Sequence, residues 1–232
     1  MPCPRFWQDL RVSMKFELLI FDWDGTLMDS EARIISCVEA AVRDLGMPVP
    51  DTDSISNIIG LGLKEAVHQL FPDADDQLHL QIAARYRVHF FSDEEAPSQL
   101  FDGARETLQE LTDRGHMLAV ATGKGRQGLD YALETTGLGD FFHLTRCADE
   151  TFSKPHPEML NQILELSGMD PHQALMIGDT EYDMEMAVNA GMSCLGVTYG
   201  VHAAERLRKH KPLDCIDHIA MIPNWLDDYV KS

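Results

Sequence analysis

The segment Asp22-Trp23-Asp24-Gly25-Thr26 carries two carboxylates two residues apart, directly after a short apolar run. Residues two apart on a strand point to the same side, so both carboxylates can face one site, and the glycine permits a sharp turn. Paired carboxylates are costly unless a cation lies between them. An EF-hand calcium loop needs its glycine at the sixth position and a glutamate at the twelfth. Gly25 is the fourth residue here and Arg33 the twelfth, which leaves a different cation site or a solvated Asp-Gly turn.

A second acidic segment is Gly178-Asp179-Thr180-Glu181-Tyr182-Asp183, which also follows an apolar run. Asp179 or Thr180 could simply cap the helix that follows. If this segment lies beside Asp22 and Asp24 in a parallel sheet, Asp179 completes an oxygen-rich cluster of the kind that Mg²⁺ prefers.

Two further segments could bind an anion. Lys154 precedes Pro155 and Pro157, which restrict the backbone, so its ammonium could neutralise phosphate oxygens and keep a neighbouring carboxylate ionised. The run Thr122-Gly123-Lys124-Gly125 ends a strand pattern with a hydroxyl and two glycines, which suits close backbone approach to an anion. It lacks the Walker spacing of a nucleotide loop. Taken singly, a lysine in such a loop is more often a plain surface residue, and the run from Thr122 to Gly125 is a weak signal.

The elements that must position these residues follow from the apolar pattern. Four continuous apolar runs each end at a polar residue, namely 18–21, 117–121, 174–177 and 194–197. Such runs predict strands that are covered on both faces, and helical patterns alternate with them. The sequence therefore predicts a doubly wound, Rossmann-like α/β core with a parallel sheet. Ligands bind at the carboxyl ends of such strands, where Asp22, Thr122 and Asp179 fall.

One long stretch, 30–97, shows only helical patterns and predicts a helical cap inserted after the first strand. Its helices should include an apolar stripe from Ile34 to Leu45, a segment after Leu63, and a segment from about Asp75 to Phe91. The core is then formed by 14–29 and 98–232. Residues 1–13 lack the apolar segment of a secretory signal and are expected to be a poorly ordered tail, so that Met14 could be the natural start.

Composition narrows the class of protein further. The formal net charge of -19 opposes binding to nucleic acid or to an anionic membrane, because both require a basic face. No apolar run approaches the roughly 20 residues of a membrane helix. Five cysteines without a paired spacing favour a reducing, cytoplasmic environment. The histidines show no metal-ligand spacing such as His-Glu-x-x-His, and we expect ordinary surface or partly buried residues.

The four segments, in this order, resemble the haloacid dehalogenase-like hydrolase superfamily, and specifically its phosphoglycolate-phosphatase-like branch with a helical cap. The resemblance spans 16–219. It implies that Asp22 is the nucleophile, that Asp24 protonates the leaving oxygen and then activates water, and that Thr122 and Lys154 bind the phosphoryl oxygens. It also implies Mg²⁺ held by Asp22, the backbone carbonyl of Asp24, and Asp179.

The same resemblance gives supporting positions to Asp183, Gly123 and Gly178. In the cap, Gly60-Leu61-Gly62-Leu63-Lys64 resembles the specificity loop of the family, and Lys64 could meet a substrate carboxylate or a second phosphate. A glycine-rich turn with an exposed lysine explains that segment equally well.

The expected activity is Mg²⁺-dependent hydrolysis of a small phosphorylated metabolite, as in phosphoglycolate phosphatase, by a monomer or homodimer. Asp24 opposes dehalogenase chemistry, which the resemblance associates with an aromatic residue at this position. Ile34 stands where related hexose-phosphate mutases carry a histidine, which favours net hydrolysis. Pyrophosphatase or sugar-phosphatase activity stays open. The alternative of another class is a non-catalytic binding or regulatory module on a phosphatase fold, although such a protein would be expected to lose Asp22, Asp24, Lys154 or Asp179.

Overall fold

The computed structural model describes residues 16–92 and 98–231. The predicted tail 1–13 and the candidate start Met14 lie outside these ranges. The strands are β1 (Leu18–Phe21), β2 (Met28–Asp29), β3 (Gln99–Leu100), β4 (Met117–Thr122), β5 (Leu144–Cys147), β6 (Ala174–Gly178), β7 (Ser193–Val197) and β8 (Cys215–Ile216). The helices are α1 (Glu31–Asp44), α2 (Thr52–Asn57), α3 (Leu63–Leu70), α4 (Asp76–Phe90), α5 (Ala104–Asp113), α6 (Arg126–Thr136), α7 (Glu158–Ser167), α8 (Glu181–Asn189), α9 (Ala204–Arg208) and α10 (Ile222–Lys231).

The core is a six-stranded parallel sheet in the order β5-β4-β1-β6-β7-β8. The chain passes from β1 to β4 on one side and later to β6 on the other, so the strand order reverses at β1. This reversal opens a crevice at the carboxyl end of β1, where ligands bind in open α/β sheets. The predicted α/β class and the four predicted strands are confirmed.

Successive side chains of β1 supply both faces of the sheet, because strand residues alternate in direction. Leu18 and Ile20 pack in the apolar layer that contains α7 and α8. Leu19 and Phe21 pack in the opposite layer with α5, α6 and α10. Each fully buried apolar side chain of this size contributes roughly 1.5–3 kcal/mol. Burial on both faces therefore fixes β1, and with it the position of the residue that follows.

The predicted helical insertion is present as α1 to α4, between β2 and β3. These two short strands pair antiparallel where the chain leaves and rejoins the core. Val42, Val67 and Ile82 form a small apolar core that joins α1, α3 and α4. The exact limits 30 and 97 stay a prediction, since residues 93–97 are not described. Throughout the described ranges, every helix is too short or too polar to cross a membrane.

Candidate active site

The carboxyl ends of the central strands bring the predicted acids together. Asp22 follows β1 directly, and its backbone N–H donates to the carbonyl of Ile177 in β6 at 2.9 Å. Asp179 follows β6, and Asp183 lies in the first turn of α8. All three carboxylates are buried, and one oxygen from each lies within 4.8 Å of the other two. Three acids in so small a space require compensating positive charge.

Lys154 supplies part of that charge. Its ammonium lies 2.6 Å from Asp22 Oδ1 and 2.7 Å from Asp183 Oδ1, and its side chain is fully buried. Both distances are those of charge-assisted hydrogen bonds between an ammonium and a carboxylate. Burial opposes the charged lysine, but Asp183 and Asp22 raise its pKa overall. The lysine therefore stays protonated and bridges the two carboxylates.

The pKa values of the acids reflect the burial and mutual repulsion of the carboxylates. Burial raises the pKa of Asp22 well above its usual value, although Lys154 opposes the change. Burial and the neighbouring Asp183 raise the pKa of Asp179 to about 7. One lysine does not balance three buried carboxylates, so a further cation would relieve the repulsion. A donor set made only of carboxylate oxygens suits Mg²⁺ better than softer metals, and the residues thus fit the predicted ion.

Hydrogen bonds from neighbouring residues hold the carboxylates of Asp179 and Asp183 in place. Asp179 accepts from Thr26 Oγ1 at 2.9 Å and from the backbone N–H of Val201 at 2.8 Å. Asp183 accepts from the hydroxyl of Thr180 at 2.7 Å and from its N–H at 3.0 Å. The Thr180 hydroxyl also accepts from the Asp183 N–H, so Thr180 caps α8, while the role of Asp179 as a metal ligand stays a prediction. These bonds orient the carboxylates toward the cluster.

Asp24 does not join the three-acid cluster through its side chain. Its Oδ1 accepts a 2.5 Å hydrogen bond from Ser30 Oγ and lies 2.8 Å from Lys124 Nζ. The same ammonium lies 4.6 Å from the centre of the Phe90 ring in α4 of the cap. Lys124 thus links the carboxylate of Asp24 to the cap, and the energy of such a cation–π contact is about 0.5–2 kcal/mol.

The glycine-rich end of β4 also contacts the cap. Thr122 is buried, and its hydroxyl accepts from the N–H of Lys124 at 3.1 Å. A Cβ added to Gly123 would lie 2.5 Å from the carbonyl oxygens of Gly60 and Leu61. Only glycine permits this approach between the end of β4 and the cap loop. Gly178 has a comparable constraint, because a Cβ there would overlap the carboxyl group of Asp183.

Further contacts hold the cap against the core. The N–H of Gly62 donates to Ser153 Oγ at 2.7 Å, and the Tyr182 hydroxyl donates to the carbonyl of Asn57 at 2.8 Å. Between cap and core lies a cavity of about 560 Å³ whose wall includes Asp22 and Asp24. The site is therefore covered by the cap.

The predicted cap residues lie on the wall of this cavity. Gly60, Leu61 and Lys64 all line it, and Lys64 is exposed on the first turn of α3. Asp22, Lys154, Asp179 and Asp183 thus form one cluster, and Asp24 lies beside it. The predicted roles of these residues stay predictions.

Lys124, Ser30 and Ser153 had no predicted role. Lys124 was visible as the lysine of the Thr-Gly-Lys run, and a cation that follows an anion-binding turn is the available signal. The two serines carried no signal, because their contacts depend on how distant segments meet.

Comparison with known proteins identifies the family. The model of the haloacid dehalogenase-like hydrolase family matches residues 19–197, which is most of the chain. The chain belongs to the haloacid dehalogenase-like hydrolases. The predicted family and the prediction of a hydrolytic enzyme are confirmed at this level.

Individual relatives of this hydrolase carry phosphatase names. It is 37% identical over 204 residues to Probable phosphatase IndB of Dickeya dadantii, which covers 86% of this chain and 89% of that protein. It is 32% identical over 205 residues to Phosphoglycolate phosphatase of Aliivibrio fischeri, covering 84% and 90% of the two chains. A solved structure from Haemophilus somnus, described as a predicted phosphoglycolate phosphatase, superposes with a TM-score of 0.84 at 24% identity. That superposition covers 91% of this chain and 98% of the other, and it supports the fold alone.

Proposed function

We propose that this hydrolase is a Mg²⁺-dependent phosphomonoesterase in which Asp22 accepts the phosphoryl group. The observation that carries the proposal is the buried cluster in which Lys154 bridges Asp22 and Asp183, with Asp179 within metal-sharing distance. Phosphoryl transfer requires positioning and charge neutralisation above all, and this cluster offers a fixed nucleophile and a fixed cation.

In the proposed reaction, a carboxylate oxygen of Asp22 attacks phosphorus, and the bond from phosphorus to the leaving oxygen breaks. Asp24 gives its proton to that oxygen, so the leaving group departs as a neutral alcohol. Asp24 then takes a proton from water, which attacks the phospho-aspartyl phosphorus and returns free phosphate and the Asp22 carboxylate. The contacts of Asp24 with Ser30 and Lys124 hold it beside the nucleophile during both proton transfers.

A bound Mg²⁺, held by Asp22, Asp179 and the backbone carbonyl of Asp24 with support from Asp183, would neutralise phosphoryl oxygens as charge develops. Lys154 screens Asp22 from Asp183 and opposes the rise in the Asp22 pKa that burial causes, so it favours the ionised nucleophile. The hydroxyl of Thr122 and the N–H of Gly123 are the proposed donors to the phosphoryl group at the end of β4.

The volume and lining of the cavity indicate which class of leaving group the substrate carries on its phosphate. Its volume of about 560 Å³ is in the range of sites for drug-sized molecules, and is far more than a two-carbon acid needs. Apolar and aromatic side chains of the cap form much of its wall, including Val38, Ile58, Ile82, Tyr86 and Phe90. We therefore propose a phosphate monoester with an apolar or aromatic body, which would gain binding energy from this wall.

A small anionic substrate is the second candidate. Lys64 lies on the cavity wall and could pair with the carboxylate of phosphoglycolate or with the second phosphate of pyrophosphate. In this case the apolar wall would contribute little to binding, and removing the Lys64 charge would lower kcat/KM more than a change in the apolar wall.

Kinetics on a substrate panel separate these candidates. Turnover of p-nitrophenyl phosphate with Mg²⁺, lost in EDTA and in Asp22→Asn, supports catalysis, whereas no turnover above buffer supports the binding module. A ranking by kcat/KM should then place aryl and other apolar phosphate monoesters above phosphoglycolate, pyrophosphate and hexose phosphates. The opposite ranking, with a selective loss in Lys64→Ala, would favour the small anion.

A matched pair of variants sharpens the test of the apolar wall. Val38→Thr places a hydroxyl in the cavity without changing side-chain size, and Val88→Thr makes the same change at an exposed position of α4. Burying an unpaired hydroxyl costs about 1–3 kcal/mol. We expect kcat/KM for an apolar monoester to fall about tenfold in Val38→Thr only, with phosphoglycolate turnover unaffected in both variants. Equal kinetics of the two variants on the apolar monoester would contradict the proposal.

A further inference from the structure

The helical cap contains a second group of metal-binding side chains, separate from the catalytic acids. His68 lies in α3, and Asp76 and His79 lie at the start of α4. One ligand atom from each lies within 4.8 Å of the other two. The two imidazole rings are also close, with centroids 3.9 Å apart. The histidine spacing in the sequence gave no sign of this group, because it forms only when two helices meet.

Hydrogen bonding determines which nitrogen of His79 is available. Its Nε2 lies 2.8 Å from the backbone carbonyl oxygen of Phe71, and a carbonyl can only accept. Nε2 therefore carries the proton, and Nδ1 of the neutral ring carries the lone pair. The side chain is only 7% exposed, and Nδ1 has no hydrogen-bond partner among the described residues. An unpaired buried nitrogen is unfavourable in a folded protein unless something binds it.

This arrangement is the one that metal-bound histidines adopt. A histidine that ligates a metal through one nitrogen usually donates its other N–H to a carbonyl or carboxylate, which fixes the tautomer and the ring orientation. The carbonyl of Phe71 has that position relative to His79. His68 and Asp76 are exposed, so their side chains can turn toward a common ion and leave open positions for water.

We propose that His68, Asp76 and His79 bind a divalent transition-metal ion of the Zn²⁺ type in the cap. Two imidazoles and one carboxylate favour Zn²⁺ and similar first-row ions over Mg²⁺, which prefers oxygen ligands. The ion would join the last turn of α3 to the first turn of α4. Because α3 begins with the cavity-lining residues Leu63 and Lys64, the clamp would stabilise the cap wall of the site.

Metal titration tests this proposal without using phosphatase activity. The full-length protein is first saturated with Mg²⁺, and Zn²⁺ is then titrated in competition with a chromophoric chelator. Visible absorption after Co²⁺ addition provides a second, spectroscopic readout of a site with nitrogen ligands. We expect one equivalent of tightly bound Zn²⁺ whose affinity falls by at least about 10- to 100-fold in His68→Ala, because losing a ligand costs no less than losing a residue that orients one.

Three variants make the outcome decisive. His79→Gln keeps an N–H donor for the Phe71 carbonyl but removes Nδ1, so it should fold and yet lose the bound ion. His172→Ala removes another exposed histidine, and Asp22→Asn alters the catalytic cluster, so both should bind Zn²⁺ as the wild type does. Wild-type affinity in His68→Ala and His79→Gln would overturn the proposal, as would loss of the equivalent in Asp22→Asn alone.

Discussion

Replacement of Gly123 by alanine tests how closely the cap and the core must meet. The added Cβ would lie 2.5 Å from two backbone carbonyl oxygens of the cap loop, at Gly60 and Leu61. Ordinary van der Waals contact begins near 3.4 Å, so the loop must retreat by about 0.9 Å. Neither backbone carbonyl can rotate away as a flexible side chain would. We therefore expect the strain to displace the cap loop from the end of β4.

The size of the effect follows from the cost of overpacking, which is about 1–3 kcal/mol. If this cost falls on the closed arrangement alone, kcat/KM should drop by roughly 5-fold to 150-fold, at about 1.4 kcal/mol per tenfold change. Steady-state kinetics on the best apolar monoester measure the drop, and thermal unfolding measures stability. Stability should change little, because cap displacement relieves the contact without disturbing the sheet.

Gly139→Ala is the matched control, since a Cβ at Gly139 meets no atom within 4 Å. It should leave both kcat/KM and the unfolding temperature near their wild-type values. Gly123→Ala with the kinetics of this control would refute the reasoning that close cap contact is needed. A large fall in unfolding temperature with retained kcat/KM would also refute it, because the strain would then fall on the core.

Three other changes probe the site and the fold. Lys154→Met leaves Asp22 and Asp183 buried without their shared cation. The free energy of unfolding, measured with urea in EDTA, should therefore fall by about 3–5 kcal/mol. An unchanged value would contradict the ion-pair account. Lys124→Met keeps the apolar stem but removes the ammonium that holds the Asp24 carboxylate. We expect kcat to fall about tenfold with little change in KM. A tenfold rise in KM with unchanged kcat would indicate a binding role instead. Burial, with help from Arg206, lowers the pKa of His202 from 6.5 to about 4. The unfolded chain therefore takes up a proton at this residue first, so the His202 contribution to stability should be lost as pH drops from about 6.5 toward 4. In pH-dependent unfolding the wild type should lose stability relative to His202→Gln over this range, and a constant difference between the two proteins would count against the shift.

Continuous apolar runs made the central strands predictable. Leu18–Phe21 is buried on both faces, and only a covered strand or a buried helix explains such a run. Strand β5, with the sequence Leu-Thr-Arg-Cys, lies at the sheet edge and has no such run, so its pattern does not distinguish it from a loop. The short helix α2 was also missed, although Asp51 marks its start by accepting from the N–H of Ser54 at 2.8 Å.

The acids of the candidate site could be located from topology, because parallel strands bring their carboxyl ends to one edge. Their partners were harder to predict. The prolines around Lys154 suggested a fixed ammonium beside a carboxylate, but only the packed structure shows that it is buried between Asp22 and Asp183. The contact of Lys124 with Phe90 and the group around His79 each depend on how two separate helices or loops meet, which no local spacing encodes.

The central claim is that Asp22 carries the phosphoryl group, and trapping that group tests it most directly. Asp24→Asn removes the base that activates water, while p-nitrophenolate leaves without needing a proton, so the phosphorylated enzyme should accumulate. Rapid mixing with p-nitrophenyl phosphate and Mg²⁺, an acid quench and peptide mass mapping give both the burst and the modified residue. We expect a burst of about one p-nitrophenolate per active site and a phosphoryl group on Asp22. Steady turnover without a burst, or a phosphoryl group on another residue, would contradict the account.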